Sequence, residues 1–219
     1  MEELSLKNNL EEDLKVKINL LFEVDKKTNE KLGEFYKKLK TKYEDIIIPN
    51  KEDGLPFHFT IIGGGNIEES ELREFVEEGK GKLKNSLDKL KMFNEEKRIP
   101  KPDDRSQLSW HAFPFGRERI LILRLKFTDK DYVLSGDKKL NKEIAKDLGN
   151  PNMDFSLPSH ITICKFSPPE NLFVDFDTLL QNAQNLFENM SIKENIELFP
   201  TVYVKNTKEK QFYKLNIEN

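Results

Sequence analysis

The sequence predicts an α+β fold built as two lobes of antiparallel sheet with helices, related by a pseudo-twofold axis across a central cleft. Three observations predict it. Strand-like and helix-like periods alternate along the chain, in the order strand, helix, strand, helix, twice over. Extra strand pairs close each half. A seven-residue pattern, Pro-x-His-apolar-Thr-apolar-apolar, occurs once in each half, at Pro56–Ile62 and at Pro158–Cys164.

The elements follow in order. Residues 15–24 alternate as a strand, and a helix of period 3.6 over 26–44 carries Leu32, Phe35, Tyr36 and Leu39 on one side. Residues 57–62 read as a buried strand ending in a turn at Gly63-Gly64-Gly65. A helix opens near Asn66, where Asn66 and Glu69 fit a capping box. Gly79 and Gly81 weaken that helix before Leu83, Leu87 and Leu90 resume its stripe. The polar segment 94–107, with two prolines, reads as the crossing between lobes. Residues 108–115 and 119–127 form a hairpin turning at Gly116-Arg117-Glu118, and a helix covers 137–148. A second buried strand spans 160–166, a helix 175–189, and a last hairpin joins 196–205 to 211–217.

Composition narrows the function classes. With 219 residues, 37% apolar and 34% charged, the composition is that of a globular chain with a heavily solvated surface, long enough for one large domain or two small lobes sharing a core. A single bilobal domain over 1–219, acting as a monomer, is expected. No run approaches the roughly 20 apolar residues of a membrane span, and the N-terminus lacks the basic flank and apolar run of a signal peptide. The lone Cys164 excludes an internal disulfide and four-thiolate zinc sites, so a cytoplasmic setting is expected. A net charge of −3 makes the surface as a whole no trap for long nucleic acid. Residues 80–105 depart from that balance, with nine Lys or Arg against five Asp or Glu. They read as a solvated helix and connector, or as help for a phosphate chain.

The repeated motif carries the chemistry. Pro occupies 10 and Thr eight of 219 positions, and only three His exist. Two of those three carry both neighbours at the same offsets. Either motif alone is an ordinary packed His with a β-branched Thr; the pair is not. In a strand, residues i and i+2 share a face, so His58 projects with Thr60 and His160 with Thr162. Phe59, Ile61, Ile161 and Ile163 face the opposite side. Side by side, the two strands would bring two imidazoles and two hydroxyls to one cleft. Imidazole, with a reference pKa of about 6.5, exchanges protons near neutrality. One His can activate water while the other protonates a leaving oxygen, and the hydroxyls can donate to non-bridging phosphate oxygens.

At these residues the chain resembles the 2H phosphoesterase superfamily, whose signature is two His-x-Thr/Ser motifs flanked by apolar residues. That superfamily includes the bacterial RNA 2′-5′ ligase/cyclic phosphodiesterase group, plant and fungal cyclic phosphodiesterases, and 2′,5′-oligoadenylate-cleaving enzymes. The resemblance implies a metal-independent, cofactor-free phosphodiesterase with His58 and His160 catalytic and Thr60 and Thr162 contacting phosphate. It also implies a substrate role for Lys165, which stands where Arg is common. Its leading substrate would be a nucleotide or RNA-terminal 2′,3′-cyclic phosphate. Alternatives are 2′-5′ oligoadenylate, a cyclic oligonucleotide or an RNA 3′ end, or binding without turnover. The first motif has Gly63 in place of a basic residue, and the 102-residue separation of the histidines is long for the superfamily.

Lesser features read as structural. Gly63-Gly64-Gly65 lacks Walker and dinucleotide spacings, with Glu68, Glu69 and Glu71 crowding the next helix start. His111 lacks the Pro and Thr partners and reads as a packed strand residue. Trp110, Phe113, Tyr203 and Tyr213 could stack on a base but read as core. Cys164, on the expected face of His160 and Thr162, reads as a spectator thiol. His-x-Thr is no zinc-ligand pattern and no His-Glu-x-x-His occurs.

Overall fold

The computed structural model describes residues 15–48, 55–95, 107–111, 117–124, 142–148, 160–190, 192, 196–206 and 211–215. Strands β1 (Lys15–Val24), β2 (Ile47–Ile48), β3 (His58–Glu68), β4 (Gln107–His111), β5 (Arg119–Arg124), β6 (His160–Phe166), β7 (Leu198–Asn206) and β8 (Gln211–Lys214) form one antiparallel sheet. Their spatial order is β4-β5-β6-β3-β1-β7-β8, with β2 pairing β6. The expected hairpins are β4–β5 and β7–β8. The helices are α1 (Lys26–Lys42), α2 (Glu69–Glu78), α3 (Gly81–Glu95), α4 (142–147) and α5 (Phe176–Glu188). Of the expected interlobe connector 94–107, residues 94–95 end α3 and Gln107 begins β4; residues 96–106 and the tip of the first hairpin lie outside the described residues. Among the described residues no helix is long and apolar enough to cross a membrane.

Helix α1 begins where the Asp25 carboxylate accepts from the Thr28 N–H at 2.9 Å and from its hydroxyl at 2.6 Å. Thr28, Leu32, Phe35 and Leu39 then bury one stripe of α1, while Leu179, Ala183 and Phe187 bury the matching stripe of α5. Phe35 and Phe187 meet edge to face with ring centroids 5.4 Å apart. These helices and α3 contribute to one apolar cluster that also takes the inward residues of β1, β3, β5 and β6.

The strand faces are set by a row of buried residues. Phe22 on β1, Phe59 on β3, Ile161 on β6, Leu123 on β5 and Leu108 on β4 are successive Cα partners across five strands. All five belong to the core, Phe22, Ile161 and Leu123 with no exposure at all. Phe22 and Phe59 also stack, with centroids 6.0 Å apart. Burying such side chains contributes roughly 1.5–3 kcal/mol each, which fixes which way every neighbouring residue points.

Two sequence expectations change here. Gly63-Gly64-Gly65 is not a turn: β3 runs through it, with Gly65 opposite Ile18 and Asn66 opposite Lys17. The partners of Leu20 and Ile18 are Ile62 and Gly65, leaving Gly63 and Gly64 together opposite Asn19. The glycines serve a bulge in a long strand. The helix therefore opens later, at Glu69, with Glu68 at the N-cap and no side-chain cap bond, so the Asn66–Glu69 box does not form. The expected weak point at Gly79 is a full break. Gly79 takes φ 62°, its N–H bonds the Glu74 and Phe75 carbonyls, and α2 ends there before α3 begins.

Candidate active site

Phe59 and Ile161 are the middle residues of the two His-x-Thr motifs, and they are Cα partners between antiparallel β3 and β6. Extending that register one residue each way sets His58 opposite Thr162 and Thr60 opposite His160. The two motifs are thus related by a local twofold. His58 and His160 occupy one diagonal of a four-cornered array, and Thr60 and Thr162 occupy the other. Diagonal neighbours of this kind have Cα atoms about 7–8 Å apart. With Phe59 and Ile161 buried beneath, all four polar residues lie on the opposite face; Thr60 is exposed and the other three are half-buried.

A β-bulge follows the Thr in each motif. On β3, Thr60 pairs with Leu21 and Ile62 with Leu20, so Ile61 is the extra residue. On β6, Thr162 pairs with Ile122 and Cys164 with Leu121, so Ile163 is the extra residue. The bulge inverts the alternation beyond it. Cys164 therefore faces the core with no exposure, not the side of His160 and Thr162 as strict alternation predicts. Burial pushes its thiol far above the usual range. Lys165, two steps beyond the bulged residue, is turned onto the His160–Thr162 side. There its ammonium lies 2.6 Å from the Glu118 carboxylate, which also accepts from the Ser167 hydroxyl at 3.2 Å. Lys165 holds the Glu118 carboxyl below its ordinary range.

The His58 ring is pinned by its own motif. Its Nδ1 lies 2.7 Å from the Pro56 carbonyl oxygen. A carbonyl only accepts, so Nδ1 carries the proton, and in the neutral ring Nε2 holds the lone pair. The equivalent Pro158 lies outside the described residues. Glu23 on β1 is the Cα partner of His58. Its carboxylate accepts from the Tyr203 hydroxyl at 2.5 Å and pairs with the Lys214 ammonium at 2.8 Å. Burial, and then the Glu23 carboxylate, raise the Tyr203 phenol.

On the other flank, Arg124 of β5 is the Cα partner of His160, and His111 of β4 stacks on His160 with ring centroids 5.3 Å apart and planes at 26°. All three histidines of the chain therefore lie at one site. His111 carries no motif that would have marked it, and only the curl of the sheet brings it there. Ser109, Cα partner of Ile122 beside Thr162, has a buried hydroxyl without a hydrogen-bond partner among the described residues. The aromatic residues divide. Trp110 packs edge-on to Phe166 and Phe176 and donates its ring N–H to the Phe176 carbonyl. Tyr203 is buried, Tyr213 is 47% exposed, and Phe113 lies outside the described residues.

No family model matches this sequence, and no curated protein matches it. Among solved structures the chain is similar to Kluyveromyces marxianus Usb1 with uridine monophosphate, at 12% identity and a TM-score of 0.44, covering 90% of this chain and 97% of that one. A second Kluyveromyces marxianus Usb1 structure gives 13% identity and a TM-score of 0.44, with 93% and 98% covered.

Proposed function

We propose that this chain is a metal-independent phosphodiesterase of the two-histidine kind, hydrolysing a nucleotide or RNA-terminal 2′,3′-cyclic phosphate. The observation that carries the reading is the Phe59–Ile161 pairing, which puts both His-x-Thr motifs on one face with the imidazoles on one diagonal and the hydroxyls on the other. A phosphate centred on that array has an imidazole on each of two opposite sides and a hydroxyl on each of the other two. One His takes a proton from water as its oxygen bonds phosphorus. The other gives a proton to the departing ribose oxygen as the ester bond breaks, leaving a monoester. Thr60 and Thr162 donate to the non-bridging oxygens where charge accumulates. The fixed Nδ1 proton of His58 leaves Nε2 as its working atom. Lys165 serves as a further phosphate contact once released from Glu118. Each half of the sheet, β4-β5-β6 with β2 and β3-β1-β7-β8, brings one motif to the boundary. These halves are not the sequential lobes expected on either side of 94–107, because β7-β8 joins β1 and β2 joins β6.

Hydrolysis of 2′,3′-cyclic mononucleotides in excess EDTA tests this directly, run beside 2′-5′ oligoadenylate and RNA 3′ ends. Turnover of the cyclic phosphate that survives EDTA and is lost in His58→Ala is expected. Preference for the oligonucleotides would reassign the substrate. Tight binding of every ligand with no turnover would make the chain a binding module, and activity restored to the chelated protein only by a metal would sink the two-histidine mechanism.

A further inference from the structure

We propose that His111 is a positioning residue for His160: its imidazole lies against that of His160 and holds it in one plane at the array. The inference rests on the phosphodiesterase reading for its consequence, but not for its geometry. His111 pairs with Ile120, whose partner on β6 is Lys165, whereas His160 pairs with Arg124. In a flat sheet those positions, two strands and four residues apart, would lie about 16 Å from each other. The rings nevertheless stack at 5.3 Å. Twist accounts for it, because one diagonal of a twisted sheet curls toward the viewer and its side chains converge.

The midpoint of the His111–His160 diagonal is the β5 position held by Ile122. That side chain faces away from the core row yet is only 1% exposed, and it belongs to neither apolar cluster. An isoleucine on the site face is buried there only if something covers it, and by register the two imidazoles flank its position. In this proposal Ile122 is the floor and His111 the wall of a corner that holds the ring of His160. A ring held on one face and along its lower edge has little freedom about its terminal torsion, which is otherwise broad. Such restraint matters for proton transfer, since misplacing a reacting group by about 1 Å costs up to about 100-fold in rate. Ring contact and shape are enough for His111 to do this, with no proton transfer asked of it.

The test compares His111→Phe, which keeps a flat ring, with His111→Ala, which removes it. In the full chain, the His160 ring protons are assigned by NMR through loss of their signals in His160→Gln. They should shift on His111→Ala, through loss of the ring current, and stay displaced in His111→Phe. With 2′,3′-cyclic adenosine monophosphate, His111→Ala should lower kcat about tenfold with KM within twofold, and His111→Phe should restore most of kcat. Unchanged His160 signals in His111→Ala overturn the stack. A folded His111→Ala with wild-type kcat, or a folded His111→Phe as slow as His111→Ala, overturns the positioning role. A wild-type chain inactive on every phosphodiester would instead sink the phosphodiesterase reading, while the NMR comparison would still decide whether His111 holds His160.

Discussion

Phe59 and Ile161 face each other across the junction of β3 and β6 and are both buried, at 7% and 0% exposure. Each is the middle residue of a His-x-Thr motif. The pairing of two core side chains therefore decides, on the opposite face, which hydroxyl stands beside which imidazole. His58 is set beside Thr162 and His160 beside Thr60, so neither His shares its side of the array with only its own motif.

That arrangement predicts different losses for the two residue types. His58→Ala and His160→Ala should each cost about 10²–10⁴-fold in kcat/KM, and the double variant should fall well short of the product because the pair acts as a unit. Thr60→Val and Thr162→Val keep the branched shape and remove one bond to a charged oxygen, about 1.5–3 kcal/mol or roughly 10–150-fold. Steady-state kinetics on folded variants checks both ranges. Full activity in either His variant would remove that residue from the mechanism.

The Pro56 carbonyl should hold His58 in the Nδ1–H tautomer. ¹⁵N chemical shifts of the neutral ring distinguish the two tautomers, and a dominant Nε2–H form would contradict the assigned bond.

Lys165 can reach a substrate only by leaving Glu118. Glu118→Gln should therefore lower KM for a phosphodiester by releasing the ammonium, whereas Lys165→Gln should raise it. KM unchanged by either substitution would make the pair a surface ion pair without a role in binding.

Cys164 should be inert in the native chain. Its burial keeps the thiol protonated and unreachable, so Ellman's reagent should label it only after denaturation. Rapid stoichiometric labelling of the folded protein would show that the bulge does not turn it inward.

The Asp25 cap should make stability sensitive to acid. Burial raises the pKa of this carboxyl, but bonds from Thr28 and from the Glu197 N–H outweigh it and hold the group below its ordinary value. A lowered folded pKa means the contribution is complete above the unfolded value, near 3.9, and is lost as pH falls through the folded one. Asp25→Ala should cost about 0.5–2 kcal/mol in denaturant unfolding at pH 7. The gap between variant and parent should narrow below about pH 4, and a gap constant down to pH 2 would refute the assignment.

Much of this was legible in the residues. The bounds of β1 and β6 coincide with what alternation and the apolar run predict, because both strands are central and bury one face continuously. His58, Thr60, His160 and Thr162 share a face for the same reason. The glycine run misled because glycine clusters more often turn a chain than bulge a strand, and only pairing with β1 decides between them. The bulges did leave a trace: two apolar residues in succession after each Thr, Ile61-Ile62 and Ile163-Cys164, break the period of two. That trace places Cys164 and Lys165 on the faces they occupy. His111 left none, since its approach to His160 depends on sheet curvature summed over three strands.

A hairpin takes its alignment from its turn, but β3 and β6 have none; 102 residues separate their histidines. Among the described residues they share a single paired position. What keys the two halves is the belt of side chains behind them, Phe22, Phe59, Ile161 and Leu123, which meshes like the teeth of a clasp. The His and Thr array is thus set from its reverse side. A substitution such as Phe59→Ala, on the core face between His58 and Thr60, should unlatch the clasp and disturb the array while the far strands keep their pairing, which loss of activity with retained far-UV circular dichroism would show.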